Sequence, residues 1–126
     1  MKALIITDTL AGHAACADRF AAHFDRVTCV ELRVLHLALR TLAAPEPEIV
    51  VLDIMRSPTK CLAVVARLRA VFPQAKILVQ KQAKPSNFEY LAEQVGAHGV
   101  ADIRNTGVAD VKVMLAAVLG GNITRR

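Results

Sequence analysis

The chain has 126 residues, which is the length of one domain and enough to bury a core without disulfides or a metal ion. Its residues are 54% apolar but only 4% aromatic, and no apolar run approaches the roughly 20 residues of a membrane span. The formal net charge of +5 comes from scattered basic residues, which indicates solvated helix surfaces rather than a nucleic-acid-binding patch. These properties favour helices packed on a buried parallel sheet.

The N-terminal apolar run is interrupted by Asp8 and is not followed by a cleavage region, so it predicts a first strand and a cytoplasmic protein rather than a signal peptide. The chain has an odd number of cysteines, and they lack metal-ligand spacing, which predicts small buried thiols in a reducing compartment. They are Cys16, Cys29 and Cys61. Four histidines also lack such spacing and are expected at the surface or in the core. They are His13, His23, His36 and His98.

Short β-branched runs alternate with longer runs of helical period, which is the pattern of repeated βαβ units around a parallel sheet. The predicted strands span residues 2–7, 26–31, 49–53, 76–80 and 99–103. The predicted helices span residues 12–24, 34–43, 59–72, 87–95 and 108–119. The sequence therefore predicts an α/β fold with five strands, each followed by a helix.

Two local signals mark the starts of predicted helices. Ser57-Pro58 supplies a capping hydroxyl followed by proline at the first helical position. Ser86 and Glu89 have the spacing of a capping box, in which each side chain bonds the other's backbone amide. The fourth and fifth helices each carry one apolar stripe, which predicts their core faces. The stripes are Phe88, Leu91, Ala92 and Val95, and Val108, Val111, Leu115 and Val118.

The domain is expected to end near Leu119, so that residues 1–119 form one domain and residues 120–126 form a tail. This tail contains two glycines followed by polar and basic residues. It is interpreted either as the start of a connection to an output domain or as a frayed terminus.

In an open parallel sheet, ligands bind beyond the carboxyl ends of the strands. Asp8, Asp53 and Lys81 follow or end the first, third and fourth predicted strands. Two carboxylates at this edge suit Mg²⁺, and a carboxylate beside such an ion can attack a phosphoryl group. The alternative is that these aspartates are turn or helix-cap residues.

Three segments carry a resemblance to a known family: Val-Val-Leu-Asp-Ile-Met at 50–55, Pro-Gln-Ala-Lys-Ile-Leu-Val at 73–79, and Gly-Ala at 96–97. In their order and spacing they resemble the receiver domain of bacterial response regulators, the signal-receiving part of two-component systems. The similarity covers essentially the whole chain. It implies a flavodoxin-like, doubly wound (βα)5 fold with strand order 2-1-3-4-5.

The resemblance also implies roles for individual residues. The residue matching the aspartate that accepts a phosphoryl group from a histidine kinase is Asp53. The positions matching the magnesium site are Thr7, Asp8, Asp53 and the carbonyl of Met55. Because Thr7 stands where the family usually has a second acidic residue, Mg²⁺ binding is expected to be weak or absent.

Two further positions depart from the family pattern. Lys81 stands where a small hydroxyl residue usually ends the fourth strand, and Ile103 stands where a lysine usually ends the fifth. Arg104 is one residue too late for that lysine unless a bulge brings it inward. One hypothesis is that Lys81 pairs with Asp53 or Asp8 in place of the metal, and the alternative is that it extends to solvent.

These departures favour a pseudo-receiver that is not an enzyme and acts through protein contacts or as a homodimer, with weakened phosphorylation. The alternative is an ordinary receiver, phosphorylated on Asp53 by a histidine kinase, that controls a DNA-binding output domain. A flavodoxin-like enzyme or cofactor-binding protein is a third, less supported reading. The five units leave no helix-turn-helix, so no direct nucleic acid contact by this domain is expected.

Overall fold

Five parallel strands form one sheet in the order β2-β1-β3-β4-β5. The computed structural model describes residues 2–8, 18, 20–36, 39, 46–103 and 108–120. The strands are β1 (Lys2–Thr7), β2 (Arg26–Glu31), β3 (Ile49–Asp53), β4 (Lys76–Gln80) and β5 (Gly99–Ala101). The predicted fold class and strand order are confirmed, and the first four strands have the predicted bounds.

Three helices have described bounds: α1 (Pro58–Val71), α2 (Phe88–Val95) and α3 (Val108–Gly120). A short 3-10 helix, Leu32–Val34, follows β2. Residues 18, 20–21, 35–36 and 39 are helical and belong to the first two predicted helices, much of which lies outside the described residues. The predicted tail beyond Gly120 also lies outside them. No described helix has the length and apolar character needed to cross a membrane.

Alternate residues of each central strand enter cores on opposite faces of the sheet, because successive side chains of a strand point to opposite sides. The first core lies against α1 and α2 and includes Leu4, Ile6, Val50, Leu52, Ile77, Val79, Val65, Leu68 and Phe88. The second core lies against α3 and includes Ala3, Ile5, Ile49, Val51, Leu78, Phe20, Val111, Leu115 and Val118. Both faces are covered, as the doubly wound prediction requires.

The two predicted helix starts have different outcomes. At α1, Ser57 accepts a hydrogen bond from the backbone amide of Lys60 at 3.1 Å, and Pro58 is the first helical residue, as predicted. At α2 the predicted capping box is wrong, because the N-cap is Asn87 and it makes no side-chain capping bond. The amide of Phe88 donates instead to the carbonyl of Pro85 at 3.0 Å, so the preceding turn satisfies it.

The fifth strand ends two residues before the predicted boundary at Ile103. It stops where β4 stops, since Lys81 donates its amide to Ala101 at 2.8 Å and the side-chain amide of Gln80 donates to Asp102 at 3.0 Å. These bonds close the ladder at Ala101. Ile103 then enters the second core with none of its surface exposed.

His98 joins β4 to the start of β5 through two backbone-directed bonds. Its Nδ1 accepts from the amide of Ile77 at 3.0 Å, and its own amide donates to the carbonyl of Ile77 at 2.8 Å. Burial lowers the pKa of His98, and the nearby charges of Lys76 and Arg69 lower it further. The imidazole is therefore held in the neutral form that can accept this bond.

Candidate functional site

The two predicted carboxylates meet at the carboxyl edge of the sheet. Thr7 of β1 and Asp53 of β3 are direct partners in the parallel register, and both are buried. Asp8 follows Thr7 and is half-buried. Because β1 and β3 are adjacent and parallel, the sequence-based expectation that Asp8 and Asp53 lie at one edge holds.

Asp8 is bonded to the loop that follows β3. Its Oδ2 accepts hydrogen bonds from the amides of Met55 and Arg56, both at 2.8 Å. A carboxylate that receives two amide bonds is a strong acceptor, and here it fixes the path of the chain after Asp53. We call residues 54–56 the β3 loop. The structure thus brings together Asp8 and Met55, two of the predicted metal-site residues.

Gln82 holds the β3 loop from the other side and is absent from the sequence-based site. Its side chain is buried, and Nε2 donates to the carbonyl oxygen of Ile54 at 2.5 Å and to that of Gln80 at 3.1 Å. The same nitrogen lies 3.7 Å from Sδ of Met55. Its sequence signal is weak, since polar residues commonly follow strands and most of them are exposed.

The side chain of Lys81 lies in a different cavity from that of Asp8. Its side chain is exposed and lines a cleft between α2 and β5 with Glu89 and Asp102, whereas Asp8 lines a different cavity. Within the described ranges, Lys81 forms no ion pair with Asp8 or Asp53. The arrangement seen is the alternative in which this lysine extends to solvent.

The remaining predicted switch position is apolar. Ile103 is fully buried in the second core, so it brings no charge to the edge that holds Asp53. Arg104, the proposed substitute for the missing lysine, lies outside the described residues. Ile103 faces the second core, whereas Lys81 lines the cleft between α2 and β5.

The residues present fit a Mg²⁺ ion poorly. The ion prefers several hard oxygen ligands in octahedral geometry. Oδ2 of Asp8 is already engaged by two amides, and Thr7 offers only a hydroxyl in place of a second acidic side chain at the end of β1. In the part of the chain that the structure describes, no group of three or more acidic, histidine or cysteine side chains forms a metal cluster.

Cys61 lies in the second turn of α1, beside this edge. Burial raises the pKa of its thiol to about 12, and the negative charge of Asp8 contributes to the same shift. Burial likewise raises the pKa of the half-buried Cys29. A thiol of this kind stays protonated near neutral pH, so neither residue is a nucleophile. This matches the predicted role of small buried side chains, while Cys16 lies outside the described residues.

Several solved structures with this arrangement of strands and helices are response regulators or their receiver domains. CheY4, a chemotaxis response regulator of Vibrio cholerae, superposes with a TM-score of 0.73 at 16% identity, over 94% of this chain and 98% of that one. A Burkholderia pseudomallei response regulator with a phosphorylated aspartic acid and a calcium ion has a TM-score of 0.70 at 20% identity, over 98% and 69%. The fold is that of a receiver domain.

The same fold also occurs as one part of a larger protein. The RcsB response regulator of Salmonella typhimurium has a TM-score of 0.72 at 14% identity, and the match covers 96% of this chain but 60% of RcsB. No family model matches the sequence, and no curated protein is similar to it at a significant level. At such low identity the shared feature is the receiver fold itself.

Proposed function

We propose that this chain is a pseudo-receiver, a signalling module whose state is set by protein contacts or a ligand and in which phosphorylation of Asp53 and Mg²⁺ binding are weakened. The observation that carries the proposal is the pair of hydrogen bonds from the Met55 and Arg56 amides to Asp8. In this arrangement the acidic residue most suited to a metal is used to hold the β3 loop. These contacts within the chain support the loop conformation.

The surroundings of Asp53 support the same proposal. An aspartate that accepts a phosphoryl group needs positive charge nearby to stabilise the transferred oxygens. Ile103 is apolar, and the exposed Lys81 lines another cleft. Neither of the two altered positions therefore supplies that charge in the conformation observed.

The module is proposed to work in the cytoplasm. It would act on a partner protein, on a second copy of itself or on an output domain. It would neither catalyse a reaction nor contact nucleic acid directly. The receiver fold supports this, because the similar solved structures are response regulators. RcsB, which extends well beyond the match, supports a unit over residues 1–119 joined to further sequence.

The second candidate function is an ordinary receiver that a histidine kinase phosphorylates on Asp53. It is favoured by the position of Asp53 at the carboxyl end of β3, in register with Thr7. The Burkholderia pseudomallei protein, which has the same fold, carries a phosphorylated aspartic acid. This candidate requires positive charge at Asp53 to stabilise the transferred oxygens.

The two candidates differ in one measurable property. The intact mass is recorded after incubation with acetyl phosphate and Mg²⁺, with Asp53→Asn as the site control and Asp110→Asn, an exposed α3 aspartate, as the matched control. A receiver domain known to accept the phosphoryl group is treated in parallel. No adduct on the folded protein supports the pseudo-receiver. An adduct that Asp53→Asn removes and Asp110→Asn retains would establish the ordinary receiver.

A further inference from the structure

A cavity of about 310 Å³ lies at the carboxyl ends of β1 and β2, beside the start of α1. Its described walls come from Asp8 after β1, Glu31 at the end of β2, and Ser57 before α1. The volume is at the lower end of the range for small-molecule sites. Asp53 is not among its described lining residues, although Ile54, the next residue in the chain, is.

The walls of the cavity carry more positive than negative side chains. Arg33, Arg56 and Lys60 face two acidic residues, Asp8 and Glu31. Glu31 is paired with Arg33, since their Oε2 and Nε atoms are 2.9 Å apart, and Oδ2 of Asp8 accepts two backbone amides. The side chains of Arg56 and Lys60 are exposed and make no ion pair with any described residue. The described walls therefore carry a net formal charge of +1, and Arg56 and Lys60 are the two cationic side chains that no described residue pairs.

Part of the wall is apolar. Ile54 is fully buried and Leu32 is partly buried against the first core, and both line the cavity. Leu32 keeps part of its surface exposed, which an inorganic anion would leave in contact with water and a hydrocarbon group would cover, whereas Ile54 has no exposed surface of its own. The ligand that matches both parts of the cavity has an anionic end and an apolar end.

We propose that this cavity binds a small organic phosphate, with the phosphate on Arg56 and Lys60 and its hydrocarbon part against Leu32. A phosphate carries up to two negative charges and so matches two cations, and a guanidinium can hold two of its oxygens at once. The proposal goes beyond the proposed function, because it requires neither phosphorylation of Asp53 nor its absence. The ligand would also contact the β3 loop directly, through Arg56.

Phenyl phosphate is the probe. It is titrated into the ¹⁵N-labelled full chain, and the amide signals of Ile54, Arg56 and Lys60 are followed by NMR. The expected result is a saturable shift with a dissociation constant below about 1 mM. Phenol and inorganic phosphate, titrated separately, are each expected to bind at least about tenfold more weakly, because each meets only half of the cavity.

Variants test the assignment of the charges. Arg56→Gln and Lys60→Gln are each expected to weaken phenyl phosphate binding about tenfold, which is the effect of losing one charge-assisted hydrogen bond. Arg67→Gln removes the same charge from an exposed site on α1 that does not line the cavity, and it is expected to bind as the parent does. Thermal unfolding followed by circular dichroism checks that each variant is folded.

Three results would overturn the proposal. The first is the absence of any saturable shift at these amides up to about 10 mM probe. The second is equal affinity for phenyl phosphate and inorganic phosphate, which would mean that Leu32 contributes nothing to binding. The third is an equal loss of affinity in Arg67→Gln and Arg56→Gln, which would mean that binding follows net charge.

Discussion

The side-chain amide of Gln82 donates a hydrogen bond to the carbonyl oxygen of Ile54, 28 residues earlier in the chain. It thereby ties the segment after β4 to the segment after β3. Asp8 holds the same β3 loop from the side of β1, through the amides of Met55 and Arg56. Three strand ends are thus joined by two side chains, and this arrangement is the basis of the first two predictions.

Gln82→Ala is expected to lower the free energy of unfolding by about 1–3 kcal/mol, because it leaves the carbonyls of Ile54 and Gln80 without this donor in a buried place. Urea denaturation followed by circular dichroism measures the change. Gln94→Ala removes the same side chain from an exposed position of α2 and is expected to stay within about 0.5 kcal/mol of the parent. Equal effects of the two substitutions would contradict the role given to Gln82.

Asp8→Ala and Asp8→Asn separate the hydrogen bonds of Asp8 from its charge. Alanine removes the acceptor of two amides and is expected to cost about 1–2 kcal/mol, whereas asparagine keeps an acceptor oxygen and is expected to cost less. The same urea titration measures both. If Asp8→Asn were as destabilising as Asp8→Ala, the negative charge rather than the acceptor geometry would be the stabilising feature.

The thiols of Cys61 and Cys29 are expected to react with iodoacetamide at different rates. Because burial, with the charge of Asp8, raises the pKa of Cys61 to about 12, iodoacetamide should leave this residue unmodified in the folded protein at pH 8. The half-buried Cys29 should react slowly, and both should react in urea. Peptide mass spectrometry gives the order. Cys61 reacting before Cys29 under native conditions would show that α1 opens at its start.

Stability is expected to fall as the pH is lowered below about 6.5, the ordinary pKa of histidine. The lowered pKa of His98 means that the unfolded chain takes up a proton first, so this contribution is present above pH 6.5 and is lost as the pH falls through the folded-state pKa. Protonated Nδ1 also cannot accept from the Ile77 amide. Urea titrations at pH 7.5 and pH 5.5 measure the loss.

His98→Asn tests the source of this pH dependence, because its amide oxygen can accept a hydrogen bond but does not titrate. The variant is expected to lose part of the difference in stability between the two pH values. His36→Asn, at an exposed position, is the matched control and should retain that difference. A His98→Asn protein with the full parental pH dependence would rule out the assignment to this residue.

Gly96→Ala is expected to destabilise the protein by about 1–3 kcal/mol. Gly96 follows α2 with φ +121°, which a residue with a Cβ rarely adopts, and an added Cβ would overlap Cγ of Arg69. Gly120→Ala, at a helical position with open space around it, should leave stability unchanged or slightly raise it. Thermal unfolding of both variants checks the difference, and similar melting temperatures would contradict it.

Much of the fold follows from local patterns, and the miss at the end of β5 occurs where two distant segments meet. β1 to β4 have the predicted bounds because their apolar, β-branched runs lie between polar residues and turns. The end of β5 was wrong because it depends on where β4 leaves the sheet, which the sequence around Ile103 does not encode. The capping box at α2 failed because a carbonyl at Pro85 satisfies the first amide.

The candidate site was predicted in position but not in detail. The strand ends place Asp8 and Asp53 at one edge, as expected from topology. The use of Asp8 as an acceptor for two backbone amides was not predicted, because the β3 loop that supplies them is 47 residues away in the chain. Gln82 could not be found, because its burial results from two loops that meet only after the sheet has formed.

The two edge strands of the sheet differ in length, and this difference affects self-association. β5 is an edge strand of three residues, whereas β2, at the opposite edge, has six. An added strand from another molecule gains backbone hydrogen bonds in proportion to the length of edge that it meets. The charged Arg26 and Glu31 at the two ends of β2 therefore stand where sheet-to-sheet aggregation would otherwise begin, and replacing them with apolar residues would remove that protection.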